Sequence, residues 1–181
     1  LHEVEDRLIV TVKGSDAVDV RRRALESLGF SSRKEVPGLI EKAYNSGNES
    51  WLVSSLFAMG RSAHQKWGPR LMKMLDSDSS DVRSEAAQAL GELELKEARP
   101  RLLELLQDDN EEVRLAAVWS LSQIGGEGIQ VALDVQRRHR LDQAARDTLQ
   151  CVGIQAHALG RAGGAGGERD LGGVRRHHHL G

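Results

Sequence analysis

Two groups of residues in this sequence could do chemistry by their type: three consecutive histidines and a recurring pair of acid and arginine. His177, His178 and His179 could hold a divalent ion loosely. Adjacent histidines in a glycine-rich segment fix no coordination geometry, however, whereas a structural or catalytic zinc site requires one. We interpret the run as a tag remnant or a chance repetition, so the sequence predicts no metal site.

The acid–arginine pair occurs three times, with one residue between its members. The pairs are Asp19 with Arg21, Asp81 with Arg83, and Glu112 with Arg114. An acid near a helix start is favourable beside the positive end of the helix dipole, and the planar arginine fork can donate to two acceptors. We expect a structural ladder, in which each arginine bridges to the acid or the loop carbonyls of the next copy. A catalytic or anion-binding ladder is the alternative.

Motifs of the common enzyme classes are missing from the sequence. It contains no nucleophile elbow, P-loop or dinucleotide fingerprint. Cys151 is the single cysteine, so no internal disulfide can form. Its position in the repeat indicates a packed thiol. The sequence predicts no catalytic residue and no cofactor, and we expect a protein that is not an enzyme.

The acid–arginine pairs recur because the chain repeats itself every 31 residues. The clearest copy covers residues 80–91 and reads SDVRSEAAQALG. Equivalent stretches end at Gly29, Gly60, Ser122 and Gly153. Five copies at one fixed spacing are typical of a repeat array.

Each repeat is predicted to contain two helices joined by a polar loop. The first helix is rich in Leu and begins near a Pro, and the Asn, Asp and Ser of the loop are suited to cap the second helix. The register also predicts a helix from Glu3 to Lys13, although part of this stretch has high strand propensity. Gly29, Gly60 and Gly91 are expected to end the second helices as C-terminal glycines.

The repeated residues resemble a known family. Val82-Arg83, Ala86-Ala87 and Leu90-Gly91, with matching strings in the first and fourth copies, resemble the HEAT repeat. The similarity is to the short bacterial variant also found in phycobilisome lyase-like proteins, and covers residues 3–135 well and 136–153 weakly. It implies an all-α solenoid of four to five helix pairs, whose second helices line a concave face. Members are mostly scaffolds with unrelated protein partners.

The end of the chain differs from the rest in charge. Residues 1–135 hold 17 Lys/Arg and 23 Asp/Glu, whereas residues 136–181 hold 8 and 4. We divide the chain into a solenoid, 1–153, with a degenerate last repeat at 136–153, and a flexible tail rich in Gly, Arg and His at 154–181. Three explanations of this ending stay open: an eroded capping repeat with a flexible tail, a cloning scar, and an out-of-frame translation of a GC-rich gene.

Certain second-helix positions are polar in the third copy and apolar in the copies on either side. We expect the polar residues to be exposed, so their apolar counterparts would form two exposed lobes. Apolar patches with a polar rim mark binding sites, and Trp is enriched at binding hot spots. The residues of this predicted partner surface are Val53, Phe57, Ser84, Glu85, Gln88, Leu115 and Trp119. Interior packing of the apolar members is the alternative.

The leading functional hypothesis is a non-catalytic scaffold or adaptor that binds a protein partner on its concave face, as part of a larger protein. Two alternatives stay open. One is a phycobilin lyase-like subunit that holds a tetrapyrrole against Trp119 and Phe57. The other is a HEAT-like nucleic-acid binder or glycosylase, which the net charge of -2 disfavours. No apolar run is long enough to span a membrane, and the single cysteine favours a reducing compartment such as the cytoplasm.

Overall fold

A computed structural model describes residues 2–14 and 17–126, together with 130, 133–135, 137–138, 140–141 and 143–148. Helices make up the secondary structure of this described part, which contains no strand. The helices between residues 2 and 124 are α1 (His2–Lys13), α2 (Val18–Ser27), α3 (Val36–Tyr44), α4 (Glu49–Arg61), α5 (Gly68–Met74), α6 (Ser80–Glu92), α7 (Arg99–Glu104) and α8 (Glu111–Ile124). Short 3-10 turns are formed by Leu28–Phe30, Gln65–Trp67, Lys96–Ala98 and Leu105–Gln107.

These helices form four pairs within one unit, residues 1–137. Each odd-numbered helix packs against the even-numbered helix that follows it, and the even-numbered helices pack in series, α2 on α4, α4 on α6 and α6 on α8. The predicted all-α solenoid is confirmed. Helix α1 is also confirmed, because the burial of Ile9 and Val12 against the next helices overrides their local strand propensity.

Side-chain caps hold the starts of three second helices at the repeat period. Asn48 accepts from the Trp51 backbone N–H, Ser79 from that of Val82, and Asn110 from those of Glu112 and Val113. Such a cap satisfies a backbone donor that the helix itself leaves unpaired. The predicted capping role of the polar loops is therefore confirmed for α4, α6 and α8.

The repeat glycines were expected to end the second helices, and this prediction was wrong for Gly60 and Gly91, whereas Gly29 lies in the 3-10 turn after α2. Gly60 and Gly91 lie inside α4 and α6, and neither has the positive φ of a C-terminal glycine. A Cβ added at Gly60 would lie 2.8 Å from the Ala89 Cα, and one at Gly91 would lie 2.7 Å from the Ser120 Cα. Glycine is required here because the next second helix leaves no room for a side chain.

A positive φ occurs three positions after Gly60 and Gly91, at Ala63 (φ 53) and Glu94 (φ 49). Each lies two residues past the end of its helix, where a left-handed residue is the usual way to end a helix and glycine adopts that conformation at the lowest cost. In these two repeats a non-glycine residue adopts it. In the fourth repeat Gly125 directly follows α8 with φ 76 and ψ -172, outside the left-handed helical region.

The core of the described residues consists of matching positions from the first four repeats. Met59, Leu90 and Leu121 are fully buried on the second helices, and Leu28 is fully buried in the 3-10 turn after α2. Ile40, Leu71 and Leu102 are buried on the first helices. Trp67 lies directly before α5 and is only 2% exposed. The predicted tail (154–181), Cys151 and the three adjacent histidines lie outside the described residues, and the degenerate repeat (136–153) is described only in part.

Leu90→Ala tests the assigned core. Leu90 has no exposed surface, so its truncation should leave a cavity and lower the free energy of unfolding by about 2–5 kcal/mol. Urea denaturation measures this change. Leu115→Ala, at a side chain 51% exposed, serves as the control and should cost less than about 1 kcal/mol. Equal effects of the two substitutions would contradict the assigned register.

Gly91→Ala tests the close approach of α6 and α8. The added methyl group would meet the α8 backbone, and the resulting strain should lower the free energy of unfolding by about 1–3 kcal/mol. Gly38→Ala is the matched control, because Gly38 lies in α3 with no heavy atom within 4 Å of an added Cβ. The control should be neutral or stabilising by about 0.5–1 kcal/mol. A stabilising Gly91→Ala would rule out the steric role.

Candidate partner-binding surface

A depression on the surface of α6 and α8 brings together four of the seven residues predicted to bind a partner. Its volume is about 390 Å³. The lining residues are Ser84, Gln88, Glu112, Leu115, Ala116 and Trp119. Leu115 and Trp119 lie one helical turn apart on α8 and are 51% and 42% exposed. An apolar pair of this kind, next to polar side chains, can receive an apolar group from another molecule.

The polar side of the depression differs from the expectation at one residue. Ser84 was expected to be exposed, but it is buried, with 8% of its surface accessible. The reason is that α6 is packed between α4 and α8, so that position 84 is covered from the side. Gln88 is exposed, and its Nε2 atom lies 3.5 Å from the Ser84 Oγ. The amide of Gln88 is therefore the polar group that α6 offers at this surface.

The second predicted lobe, on α4, is only half exposed. Val53 packs against the core, and Phe57 is half-buried. The guanidinium of Arg61 lies 5.6 Å from the centre of the Phe57 ring and 4.1 Å from that of Phe30. Phe30, 68% exposed, is absent from the sequence-based prediction, which considered second-helix positions alone. The sequence feature that could have pointed to Phe30 is its position directly after the repeat glycine Gly29.

Glu85 lies half-buried between these two regions, on α6. Burial raises its pKa to about 7, and the negative charges of Glu92 and Glu26 add to the effect. Glu92 is itself paired with Arg61 at 3.2 Å, and Glu26 accepts a hydrogen bond from Ser54 at 2.6 Å. The neighbouring carboxylates have partners of their own, whereas the ionised form of Glu85 is disfavoured near neutral pH.

One arginine of the expected ladder bridges to the next repeat, but its partner is a loop acid instead of Glu112. Arg83 binds Asp108 of the following loop through two parallel hydrogen bonds of 2.9 Å, from Nε and Nη2. It also donates to the carbonyls of Ser77 and Asp78 in its own loop. The hydrogen bonds from Arg83 lower the pKa of Asp108, although burial opposes them. The acid that Arg83 binds was not among the acids expected from sequence.

Arg114 and Arg21 each donate to carbonyls of their own repeat. Arg114 donates to the carbonyls of Asp108 and Asp109, in the loop before its helix. Arg21 donates to the Val12 carbonyl at 3.0 Å. Asp19 pairs with Arg22 at 3.1 Å instead of with Arg21. Asp81 and Glu112 are exposed in the first turns of α6 and α8, where an acid is favourable beside the helix dipole.

Within the part of the chain that the structure describes, no three His, Cys, Asp or Glu side chains are grouped so as to hold a metal ion. No helix there has both the length and the apolar character that a membrane span needs.

Comparison with known proteins gives a match over part of the chain. Residues 68–150, the segment that includes α6 and α8, match the family model described as HEAT repeats. The comparison with curated proteins gave no match. Among solved structures, the crystal structure of an engineered protein is similar, with 21% identity, a TM-score of 0.48, and coverage of 75% of this chain and 69% of its own. The narrower resemblance to the phycobilisome lyase type stays a prediction.

Glu85→Gln should change the pH dependence of stability. Because the pKa of Glu85 is raised from 4.5 to about 7 on folding, the folded chain keeps a proton that the unfolded chain loses in this window. Stability should therefore fall as the pH rises from about 4.5 to 7. Glutamine cannot ionise, so this loss does not occur in the variant. At pH 8 its free energy of unfolding should exceed that of the wild type by on the order of 1–3 kcal/mol.

Urea denaturation at pH 5, 6, 7 and 8 measures this difference. The control is Glu97→Gln, at an exposed carboxylate in the turn before α7. Its free energy of unfolding should change with pH in parallel to that of the wild type. If the Glu85→Gln profile is also parallel to the wild type, the raised pKa is refuted.

Proposed function

We propose that this protein is a non-catalytic scaffold that binds a protein partner through the exposed surface of α6 and α8. The observation that carries the proposal is the exposure of Trp119 beside Leu115, at 42% and 51%, in a segment that matches HEAT repeats. HEAT repeats commonly serve as interaction scaffolds, and solenoids use extended surfaces of stacked helices for this purpose. We place this surface on the concave side of the solenoid.

The chemistry of the depression limits what the partner can present. Trp119 and Leu115 offer an apolar contact, and the indole N–H of a partly exposed Trp can donate a hydrogen bond at the rim. Gln88 and Glu112 supply an amide and a carboxylate at the same depression. A partner side chain that is apolar at its end and flanked by hydrogen-bond donors meets both requirements.

The tetrapyrrole alternative has less support from the geometry. It required Trp119 and Phe57 to hold one planar molecule between them. Phe57 is not among the residues that line the depression at Trp119, and its ring lies instead within 5.6 Å of the Arg61 guanidinium. A protein partner needs only the α6–α8 surface.

Trp119→Gln separates binding from folding. Because the ring is 42% exposed and Gln88 occupies the equivalent site on α6, the free energy of unfolding should fall by less than about 1 kcal/mol. Trp67→Gln, at a ring only 2% exposed, is the control and should cost about 3–5 kcal/mol. A thermal melt of the two variants measures the difference.

Trp119→Gln also tests whether this surface binds the partner, once that partner has been identified. A photo-cross-linking residue at position 115 identifies the partner, and calorimetry then compares wild type with Trp119→Gln. Affinity should fall by about 2 kcal/mol or more, roughly 30-fold, as for a hot-spot residue. If Trp119→Gln lowers the melting temperature as much as Trp67→Gln does, the Trp119 ring belongs to the core. If the affinity for the partner is unchanged, this surface is excluded as the binding site.

A further inference from the structure

A second cavity lies away from the α6–α8 surface, in the first two repeats. Its volume is about 460 Å³, within the range of small-molecule sites. Residues of α1, α2, α3 and the start of α4 line it. Its apolar lining comes from Val12, Leu39, Ala43 and Trp51. A cavity of this size and character can enclose most of a ligand of one or two rings.

Among the described residues that line this cavity, the charged ones are all cations. Lys13, Arg21 and Lys42 are the charged groups among its described lining residues. The guanidinium of Arg21 lies 5.5 Å from the centre of the Trp51 ring, which stabilises the cation. Its Nε donates to the Val12 carbonyl at 3.0 Å. No carboxylate in the described part of the chain forms an ion pair with Arg21.

The repeat register shows which group is missing beside Arg21. In the third repeat, Arg83 holds the carboxylate of Asp108, 25 residues ahead of it. The residue 25 positions after Arg21 is Ser46. Ser46 makes the same turn as Asp108, because its Oγ accepts from the Asn48 backbone N–H as the Asp108 Oδ1 accepts from that of Asn110. The loops at Ser46 and Asp108 therefore share the turn, but Ser46 has a hydroxyl group where Asp108 has a carboxylate.

We propose that this cavity binds a small organic carboxylate with an aromatic or apolar body. The ligand carboxylate takes a place beside Arg21 like that of the Asp108 carboxylate beside Arg83, and pairs with the Arg21 guanidinium. The body of the ligand packs between Trp51 and Leu39. Lys13 and Lys42 add positive charge at the cavity. This site is independent of the partner surface on α8, because the two share no residue.

The probe for this site is 2-naphthoate, titrated into the full chain by isothermal calorimetry. The neutral 2-naphthamide is its control, because it has the same ring system without the charge. We expect naphthoate to bind at least about tenfold more tightly than naphthamide, and its affinity to fall with added salt, because cations at a partly exposed site are screened. Equal affinities for the two probes, or no binding of naphthoate at millimolar concentration, would overturn the proposal.

Ser46→Asp supplies the missing carboxylate from the protein itself. The introduced carboxylate should pair with Arg21, raise the melting temperature, and weaken naphthoate binding at least about tenfold. Ser77→Asp is the matched control. Ser77 has the same place in the next loop and the same turn hydrogen bond, to Ser79, but Leu52 stands where the arginine would be. This control should bind naphthoate as the wild type does. Unchanged binding by Ser46→Asp, or equal losses in both variants, would refute the role of Arg21.

Discussion

The distance between successive second helices is the constraint on which the rest of this structure depends. At Gly29, Gly60 and Gly91 an added Cβ would lie 2.7–2.8 Å from an atom of the following second helix. The contacted helices present small residues near these points, at Ala58, Ala89 and Ser120. Because close helix contact excludes larger side chains at these points, α2, α4, α6 and α8 are held in one series. The first helices then pack each on its own partner.

This constant frame allows individual positions to vary in chemistry. The register position of Trp119 holds Glu26, Phe57 and Gln88 in the other repeats, and the frame accommodates an acid, an amide and two aromatic rings there. A repeat protein can thus change its surface without changing its core, since each repeat contacts mainly its neighbours. The apolar pair on α8 and the cationic cavity near α1 arise in this way, as local substitutions in a regular array.

The second repeat shows how one departure from the pattern affects its neighbours. Trp51 and Leu52 stand where the first, third and fourth repeats have Val and Arg. The Trp51 ring is half-buried and provides a surface over which the Arg21 guanidinium lies. Arg21 therefore has an aromatic and a carbonyl partner, whereas Arg83 has a carboxylate. Two arginines at the same register position differ in their contacts because the residues facing them come from different repeats.

The sequence by itself determined the period, the helix pairs and the caps at Asn48, Ser79 and Asn110, because these depend on local spacing and hydrogen bonding. It also selected Leu115 and Trp119 as surface candidates. Only the tertiary structure decided that the repeat glycines serve helix contact, that Ser84 is buried, and that Arg83 binds Asp108. The physical reason is that burial and pairing depend on which neighbouring helix or loop covers a residue, and a periodic sequence gives the same local signal whether or not that neighbour is close.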